Sequence, residues 1–231
     1  MRILIACEES QAVCIALRKR GHEAFSCDIM AESGGHPEWH IQGDVIEQLD
    51  KGWDMLIGFP PCTYLTVTGA RWLYNKDGSK NEERWENQRL GIDFFKTLYN
   101  APIPKIALEN PVGMISSLFM KPTQIIQPYY FGDEAQKTTC LWLKGLPLLQ
   151  HFDKVDLFND KVTHVGKGEM VTTTTGKTFS KWYWETSKGK GCERQKRRSK
   201  TFPGIANAMA EQWTNQMVLQ KPSAVAKIIK N

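Results

Sequence analysis

The fold is decided by residues 2–28, which read RILIACEESQAVCIALRKRGHEAFSCD. Arg2–Ala6 and Glu23–Cys27 are short runs that predict strands, and Ser10–Lys19 between them carries apolar residues at helical spacing. A unit of strand, helix and strand joins two parallel strands through a right-handed crossover. The chain therefore predicts an α/β fold with a parallel sheet at its centre.

The alternation of strands and helices continues to about residue 147. The predicted elements are a short third strand within His40–Val45, strands over Trp53–Gly58, Lys105–Glu109, Thr123–Gln127 and Thr139–Leu143, a mobile polar segment over Thr63–Lys80, and a helix over Glu82–Tyr99. Trp85, Ile92 and Phe95 recur at helical spacing within that helix, so we expect them in the core. Residues 1–147 are therefore predicted to form one sheet domain.

The composition of the chain changes after Pro147. Residues 148–200 are polar and rich in Thr and Lys, and their strand signals, at Val162–Val165 and Met170–Thr174, are weak. We interpret them as a small basic lobe attached to the sheet domain. Pro203 suits the first turn of a helix. Residues 201–231 are therefore predicted to begin with a helix that returns to the sheet domain and to end in a loosely held tail of about a dozen residues.

Two motifs place reactive side chains directly after buried strands. Gly58-Phe59-Pro60-Pro61-Cys62-Thr63 follows the apolar run of the fourth strand, and Glu109-Asn110-Pro111 ends the fifth. In an open α/β sheet, the carboxyl ends of neighbouring strands share one crevice. A thiol and a carboxylic acid are therefore expected to face one substrate. For either motif alone, the alternative is a buried free cysteine or a strand-end acid in a turn.

The Cys62 motif has the properties of a loop that carries a nucleophile. Each proline fixes its φ angle at about −65°, which sets the direction from which the thiol approaches an electrophilic carbon. The thiolate is the attacking form, so we expect a cation, with Arg71 and Lys137 as candidates, to lower the pKa of the Cys62 thiol. On a pyrimidine, attack at carbon 6 sends charge to N3, where an acid such as Glu109 stabilises it, with Asn110 as a positioning amide. Carbon 5 then accepts a methyl group from a sulfonium donor.

Two further acids stand where a nucleotide-like cofactor would bind. Asp28 ends the second strand, a position from which an acidic side chain commonly accepts hydrogen bonds from a pair of ribose hydroxyls. A helix cap or a turn acid is the alternative for Asp28. Asp44 is expected at the end of the third strand, near the position of an adenine amino group.

The positive charge of the chain is concentrated in one stretch. The formal net charge is +5, but residues 181–200 hold eight Lys or Arg and only two acids, Glu185 and Glu193. Such a stretch suits a phosphate backbone, and the aromatic run Trp182-Tyr183-Trp184 suits stacking on bases. A solvated loop with a small aromatic anchor is the alternative. The residues expected to contact nucleic acid are Lys181, Trp182, Arg194, Lys196, Arg197 and Arg198.

Composition argues against several other classes of protein. No apolar run approaches the roughly twenty residues that span a bilayer, and the apolar run at the start is too short for a signal peptide. The six cysteines, at positions 7, 14, 27, 62, 140 and 192, form no Cys-x-x-Cys pair, which argues against a zinc ribbon or a disulfide framework. We therefore expect a soluble, cytoplasmic monomer with reduced thiols and without a metal or a membrane partner.

Seven short motifs, in order along the chain, carry a resemblance to a known family. They are Ala6-Cys7-Glu8, Gly43-Asp44-Val45, Pro60-Pro61-Cys62-Thr63, Gly69-Ala70-Arg71-Trp72, Glu109-Asn110-Pro111-Val112-Gly113, Thr139-Cys140-Leu141-Trp142-Leu143 and Pro203-Gly204-Ile205-Ala206. With them the chain resembles the DNA cytosine methyltransferases that act at carbon 5, and more closely their short phage- and prophage-borne relatives. The resemblance covers most of the chain outside residues 151–200.

The resemblance implies a class I, Rossmann-like methyltransferase sheet, S-adenosylmethionine as the methyl donor, double-stranded DNA as the partner, and a cytosine rotated out of the duplex. Carried over by position, Cys62 is the nucleophile, Glu109 the acid at N3 and Asn110 the support of that loop. The residues implied for the cofactor are Ala6, Glu8, Ser10, Asp28, Asp44, Phe59 and Pro60, and those implied near the nucleophile are Pro61, Thr63, Arg71 and Lys137. A lobe of about fifty residues implies a short or relaxed sequence preference.

The chain departs from the family pattern in two further places. The turn after the first strand, Ala6–Ser10, contains no glycine, and Glu8 and Glu9 there place negative charge that suits an ammonium group rather than a phosphate. Lys137 stands where larger members carry paired arginines. Two alternatives therefore stay open: a protein that binds nucleic acid, nucleotide or cofactor without turnover, and an enzyme that modifies RNA or a free pyrimidine nucleotide.

Overall fold

Strands and helices alternate through the part of the chain that the computed structural model describes, which comprises residues 1–155, 161–188 and 191–215. The strands are β1 Arg2–Ala6, β2 Glu23–Asp28, β3 His40–Gln42, β4 Met55–Gly58, β5 Lys105–Pro111, β6 Gln124–Ile126, β7 Thr139–Lys144, β8 Met170–Thr172 and β9 Thr178–Ser180. The helices are α1 Ala12–Lys19, α2 Glu82–Tyr99, α3 Ile115–Leu118, α4 Lys181–Ser187, α5 Gly191–Ser199 and α6 Pro203–Gln212. The predicted C-terminal tail lies outside the described residues.

Seven of these strands form one sheet in the order β3-β2-β1-β4-β5-β7-β6. From β3 to β5 all neighbours are parallel, whereas β7 runs antiparallel to both β5 and β6. The strand order reverses between β1 and β4, so the ends of these strands border the crevice in which doubly wound sheets bind their ligands. The predicted α/β fold with a Rossmann-like, mostly parallel sheet is confirmed.

The carboxyl ends of the central strands are level with one another. Ala6 on β1 pairs with Cys27 on β2 and with Gly58 on β4, and Gly58 also pairs with Leu108 on β5. The residues that follow these four in the chain are Cys7, Asp28, Phe59 and Glu109. The register of the sheet therefore gathers both predicted motifs and the first predicted cofactor acid along one edge.

Helices cover both faces of the sheet. On one face, Leu17 of α1 and Met209 of α6 are buried in the same apolar cluster, so the first and the last described helices pack together. α2 covers the other face, where Ile92 and Phe95 are buried as their spacing predicts. Trp85, also predicted for the core, is only half-buried, because its indole N–H reaches out to bond the loop before α2.

Two elements begin two residues later than predicted. α1 begins at Ala12 rather than Ser10, because Gln11 at its start has a left-handed backbone, with φ at 56°. β4 begins at Met55 rather than Trp53. Both differences shorten an element by two residues and leave its buried face unchanged.

The segment between Cys62 and α2 has more structure than the predicted mobile loop. Val67–Leu73 form 3-10 turns, and Tyr74 pairs with Lys80 in a β-bridge. The indole N–H of Trp85 donates to the carbonyl of Leu73 at 3.0 Å. These contacts attach the segment to α2.

Residues 170–188 and 191–199 form a β-hairpin followed by two helices. β8 and β9 pair antiparallel, which confirms a strand at the start of the predicted Met170–Thr174 signal. The strand predicted over Val162–Val165 is wrong, because the amides of Thr163 and Val165 donate to the carbonyls of Phe152 and Tyr129 rather than to a neighbouring strand. The basic stretch is helical: it forms α4 and α5 rather than a loop.

Five cysteines have free thiols. They are Cys7, Cys14, Cys27, Cys62 and Cys140. In the same residue ranges, no three His, Cys, Asp or Glu side chains are grouped in a way that would hold a metal ion. No helix within them has the length and apolar character needed to cross a membrane.

Candidate active site

Cys62 lies in a loop whose backbone is held by hydrogen bonds. Its carbonyl oxygen accepts the amide of Leu65 at 2.9 Å, so the loop turns back on itself. From α2, the guanidinium of Arg84 donates to the carbonyl of Thr63 at 3.2 Å. The Cys62 side chain is half-buried, between the exposed residues Pro61 and Thr63. The predicted nucleophile therefore combines a fixed backbone with a thiol that a substrate can reach.

Three contacts join the Cys62 loop to the end of β5. They are Asn110 Nδ2 to the carbonyl of Pro60 at 2.8 Å, the amide of Met114 to the carbonyl of Leu65 at 2.7 Å, and a β-bridge between Thr66 and Gly113. β5 itself continues two residues beyond Glu109, its predicted end, because Asn110 and Pro111 pair with β7. The two motifs therefore form one rigid junction, which we call the Cys62–Glu109 junction.

Replacing Gly113 by alanine is expected to loosen this junction. A Cβ at Gly113 would overlap the carbonyl oxygen of Leu65, a backbone atom that cannot rotate away. We expect the free energy of unfolding, measured with denaturant, to fall by about 1–3 kcal/mol. Gly166→Ala is the control, because a Cβ there meets only the Glu134 carboxylate at 4.0 Å. Equal stability of the two variants would show that the close approach is not needed.

Burial is the main influence on the Cys62 thiol and raises its pKa. The negative charge of Glu109 raises that pKa further, whereas the positive charges of Lys137 and Arg198 lower it. The predicted lowering of the Cys62 pKa is therefore wrong for the protein without substrate, because desolvation outweighs the cations.

Glu109 is a half-buried acid with one buried oxygen that has no partner. Within the described residues its Oε1 is buried and has no hydrogen-bond partner. Burial raises the pKa of the Glu109 carboxyl, and the positive charge of Lys137 opposes that shift. A raised pKa keeps the carboxyl protonated to a higher pH, and a protonated carboxyl donates a hydrogen bond and does not repel a thiolate. The arrangement therefore allows Glu109 to act as an acid beside a thiolate.

The antiparallel direction of β7 explains how Lys137 reaches this site. Thr139 at the start of β7 pairs with Pro111 at the end of β5, and Lys137 precedes β7 by two residues. Arg71, the other predicted cation, is exposed, and its guanidinium lies over the ring of Trp72 at 4.7 Å. The structure therefore brings Lys137 to the junction, while Arg71 stacks on a surface aromatic ring.

Asp28 ends β2 and Asp44 follows β3, the strand that pairs with β2. Burial raises the pKa of the Cys7 thiol most, and the negative charges of Asp28 and Asp44 raise it further. Asp28 is half-buried, its carboxylate accepts the amide of Met30 at 2.9 Å, and burial raises its pKa. Asp44 lies beyond the end of β3 rather than on it, and it caps a 3-10 turn by accepting the amide of Ile46 at 2.9 Å.

An apolar side chain that was not predicted lies beside Asp28. Ile29 is 77% exposed, which is unusual for a large aliphatic residue next to a half-buried acid. The pair offers an apolar surface and a hydrogen-bond acceptor side by side, as a nucleoside requires. The signal in the sequence was an isoleucine directly after the strand-end acid.

The turn after β1 is built without glycine. Cys7 and Gln11 both have left-handed backbones, with φ at 57° and 56°. The carbonyl of Ala6 accepts the amide of Phe59 at 2.9 Å, which ties this turn to the end of β4. Ser10 is half-buried between these positions and α1. The predicted cofactor residues Ala6, Ser10 and Phe59 therefore lie on one short stretch of the edge.

The two acids of this turn face the protein, so the expected negative charge in the cofactor crevice is not found. The buried Glu8 carboxylate accepts the amides of Val13 at 2.7 Å and Cys14 at 3.2 Å, and thereby satisfies the first N–H groups of α1. Burial raises the pKa of Glu8 to about 8. Glu9, also buried, accepts the hydroxyl of Ser33. Glu8 therefore contributes to the site by holding α1 in place.

Two of the residues predicted to contact nucleic acid also make contacts within the protein. Trp182 is half-buried, with its ring centroid 5.3 Å from that of Phe202, and Lys181 pairs with Glu169 at 2.8 Å. The four others are exposed on α5; they are Arg194, Lys196, Arg197 and Arg198. The basic surface therefore belongs to α5, and the aromatic run before it is partly a packing element.

Comparisons with known proteins add little to this description. No family model and no curated protein matches the chain. Among solved structures, it is similar to one from E. coli described as a "putative DNA modification methyltransferase encoded within prophage". The two chains are 15% identical, with a TM-score of 0.40 over 63% of this chain and 48% of that one. The chain thus spans about half the length of that structure, and the class of fold rests on the sheet order described above.

Proposed function

We propose that this protein is a DNA methyltransferase that transfers a methyl group to carbon 5 of cytosine. Cys62 is the nucleophile and Glu109 is the acid at N3. The observation that carries the proposal is the Cys62–Glu109 junction, in which hydrogen bonds hold the two loops together and the charge of Glu109 acts on the thiol. The ordered motifs of the sequence supply the choice of a pyrimidine as substrate.

In the first step, the Cys62 thiolate attacks carbon 6 of the cytosine and a sulfur–carbon bond forms. Electron density moves to carbon 5 and N3, where the protonated Glu109 carboxyl donates a hydrogen bond. The unpartnered Oε1 of Glu109 supports this role, because a buried polar atom without a protein partner is costly unless a ligand satisfies it. Asn110 keeps the two loops at a constant separation through its bond to the carbonyl of Pro60.

When bound, S-adenosylmethionine would supply the methyl group to carbon 5, and breaking of the bond between that methyl group and the sulfonium sulfur would release S-adenosylhomocysteine. A water molecule then takes the proton from carbon 5, the bond between carbon 6 and sulfur breaks, and the ring double bond re-forms. Cys62 leaves as a thiolate, which the positive charge of Lys137 favours. Lys137 therefore assists both the attack and the release.

The other end of the sheet edge fits such a cofactor. Asp28 offers a carboxylate to ribose hydroxyls, and Ile29 offers an exposed apolar surface to the purine. Asp44 presents an exposed carboxylate beyond β3. These side chains contact the nucleoside of S-adenosylmethionine rather than its methionine part. Their contacts therefore support cofactor binding although the turn after β1 has no glycine.

Replacing Asp28 by asparagine is expected to weaken S-adenosylmethionine binding about 10- to 100-fold, because hydrogen bonds to a charged acceptor contribute about 1.5–3 kcal/mol each. Isothermal titration calorimetry measures this change. Asp50→Asn is the matched control, since Asp50 is exposed and precedes β4 at the opposite edge of the sheet. If Asp28→Asn binds as tightly as the unmodified protein, Asp28 does not belong to the site.

The exposed cations of α5 support DNA as the substrate. A surface with several Lys and Arg side chains binds the phosphate backbone irrespective of sequence. The described lobe adds only a two-stranded hairpin and two short helices to this surface. A lobe of this size contacts the edges of only a few base pairs, which supports a short or relaxed sequence preference.

Transfer of a labelled methyl group from S-adenosylmethionine tests the proposal. The substrates are a cytosine-containing duplex, a duplex of adenine and thymine only, a cytosine-containing RNA, and cytidine triphosphate. We expect label in the cytosine-containing duplex alone. Label in RNA or in the nucleotide would assign the reaction to that substrate, and cofactor binding without label in any of them would assign a binding protein.

Covalent trapping tests the nucleophile separately. Fluorine at carbon 5 of cytosine prevents the final loss of a proton, so the adduct between carbon 6 and the thiol persists after methyl transfer. We expect a denaturation-resistant complex with 5-fluorocytosine DNA that forms only when S-adenosylmethionine is present and that maps to Cys62 by peptide mass spectrometry. An adduct at another cysteine would contradict the assignment.

A further inference from the structure

The loop that follows β2 is held by two side chains of β3. Nε2 of Gln42 donates to the carbonyl of Ile29 at 3.3 Å, and Nε2 of His40 lies 2.9 Å from the carbonyl oxygen of Met30. His40 and Gln42 are two residues apart on the strand, so their side chains leave it on the same face. They therefore hold two successive carbonyl groups of the loop.

The backbone at Asp28 is held as well. Asp28 pairs with Gln42 at the end of the ladder between β2 and β3, and its carbonyl accepts the amide of Gly43 at 2.9 Å. Its carboxylate accepts the amide of Met30 at 2.9 Å. With the contacts of His40 and Gln42, each carbonyl from Asp28 to Met30 has a hydrogen-bond donor. The conformation of the loop is therefore set before a ligand binds.

His40 is oriented at both nitrogens of its ring. A carbonyl oxygen only accepts, so Nε2 carries the proton that bonds Met30, and Nδ1 of the neutral ring accepts the hydroxyl of Ser26 at 2.8 Å. Ser26 is buried on β2, where its oxygen also lies 3.3 Å from Nε2 of Gln11. The imidazole therefore connects the buried part of the sheet to the loop.

The held backbone explains why Ile29 faces water. Burial of an aliphatic side chain is favourable, yet Ile29 is 77% exposed. Because its carbonyl and that of Met30 are bonded to β3, the backbone resists the rotation that would turn the side chain toward the protein. A fixed apolar surface beside the Asp28 carboxylate has the character of a preformed ligand site.

We propose that His40 and Gln42 are positioning residues, which keep Asp28 and Ile29 in the arrangement that binds the nucleoside part of the cofactor. The inference rests on the proposed function and deepens it. Each of the two side chains acts through the carbonyl that it bonds rather than by contact with the ligand. Such preorganisation raises affinity, because the loop does not have to be ordered when the ligand binds.

Calorimetric titration with S-adenosylhomocysteine, which carries the nucleoside but has no methyl group to transfer, tests the inference. For His40→Ala we expect the dissociation constant to rise about 3- to 10-fold, the range for loss of one intramolecular hydrogen bond. For Gln42→Leu we expect about two- to fivefold, because its bond is longer and exposed. His40→Gln keeps an N–H donor near the position of Nε2 and is expected to retain most of the affinity.

Hydrogen exchange without ligand measures the loop itself. In His40→Ala and in Gln42→Leu we expect the amides of residues 29–32 to exchange faster than in the unmodified protein, because the backbone bonds that hold the loop open more often. The order of the effects is expected to match the order of the losses in affinity. This readout requires neither cofactor nor activity.

Two variants serve as matched controls. His22→Ala replaces a half-buried histidine that precedes the opposite end of β2. Gln150→Leu removes an exposed glutamine whose Nε2 likewise bonds a main-chain carbonyl, that of Leu148, at 3.3 Å. Both are expected to change neither the affinity for S-adenosylhomocysteine nor the exchange of residues 29–32.

A double-mutant cycle separates positioning from a general loss of stability. Ile29→Ala removes most of the apolar surface, so Gln42→Leu is expected to weaken binding less in that background than in the unmodified protein. Gln42 is exposed, which keeps the cycle informative if His40→Ala does not fold. Additive losses of binding free energy from Ile29→Ala and Gln42→Leu would overturn the inference. Faster exchange with unchanged affinity would also overturn it, because His40 and Gln42 would then support the loop only.

The positioning role and the proposed function can fail separately. Binding of S-adenosylhomocysteine that depends on His40 and Gln42, in a protein that transfers no methyl group to DNA, would support the positioning role and refute the proposed function. Methyl transfer by a protein whose affinity is unchanged in both variants would do the reverse. An unmodified protein that does not bind S-adenosylhomocysteine would refute both.

Discussion

Replacing Cys62 by serine is expected to reduce methyl transfer to DNA at least about 10³-fold, because a serine hydroxyl is a much weaker nucleophile than a thiol at neutral pH and the covalent path depends on it. Single-turnover transfer of a tritiated methyl group from S-adenosylmethionine to a cytosine-containing duplex measures the effect. Single-turnover conditions separate the chemical step from product release.

The same variant is expected to keep its fold and its cofactor affinity. The backbone of the Cys62 loop is held by the amide of Leu65 and by Arg84, and neither contact uses the thiol. Thermal unfolding and calorimetric titration with S-adenosylmethionine therefore serve as controls. A Cys62→Ser protein that is stable, binds the cofactor and still transfers more than about one tenth as fast as the unmodified protein would exclude Cys62 as the nucleophile.

The Glu109→Gln variant is expected to change two measurements in different ways. Methyl transfer falls about 10²- to 10⁴-fold, because glutamine keeps the shape of the side chain but has no acidic proton for N3. The rate at which iodoacetamide alkylates the Cys62 thiolate is the second measurement. The pH at which this rate reaches half of its maximum moves down, because the negative charge that raises the Cys62 pKa is removed. A weaker catalyst with a more acidic thiol is a combination that simple loss of packing does not predict.

The pH dependence of transfer provides a further check on Glu109. Its carboxyl donates only when protonated, so the rate falls as the pH rises through the raised pKa of Glu109, and Glu109→Gln lacks this descending limb. Glu23→Gln, at the amino end of β2, is the matched control. It is expected to change neither the rate of methyl transfer nor the pH dependence of Cys62 alkylation. If Glu109→Gln retains the descending limb, another group supplies the proton.

The class of fold was predictable because the central strands are buried on both faces. β1 is buried from Ile3 to Ala6, and β4 throughout, so both strands read as short uninterrupted apolar runs between turns. The direction of β7 was not predictable in the same way. An apolar run reads alike in both directions, and only the path of the chain through β6 shows that β7 returns antiparallel.

The helices of the lobe were missed for a different physical reason. α5 reads GCERQKRRS and has almost no apolar residues, so it carries no periodic signal. Its contacts are made by long polar side chains, such as Arg198 over Tyr183. The false strand at Val162–Val165 shows the converse, because its two valines are exposed and no strand in the described part of the chain pairs with them.

The strand-end motifs located the candidate site, but several supports of the site carry no sequence signal. Arg84 bonds the backbone carbonyl of Thr63, and any residue type offers such a carbonyl. Glu8 was expected in the cofactor crevice because the family resemblance places the turn Ala6–Ser10 there. The left-handed backbone of Gln11 moves the start of α1, and the carboxylate of Glu8 then lies under the helix.

The packing of α6 on α1 has a consequence for synthesis of the chain. The two helices are neighbours in space but about 190 residues apart in sequence. A ribosome adds roughly 5–20 residues per second, so α6 emerges roughly 10 to 40 seconds after α1. During that interval the apolar side of α1 that α6 later covers stays accessible to water and chaperones, while the whole Cys62–Glu109 junction has already been translated. The last described helix, rather than the catalytic motifs, therefore determines when a nascent molecule stops exposing this apolar surface.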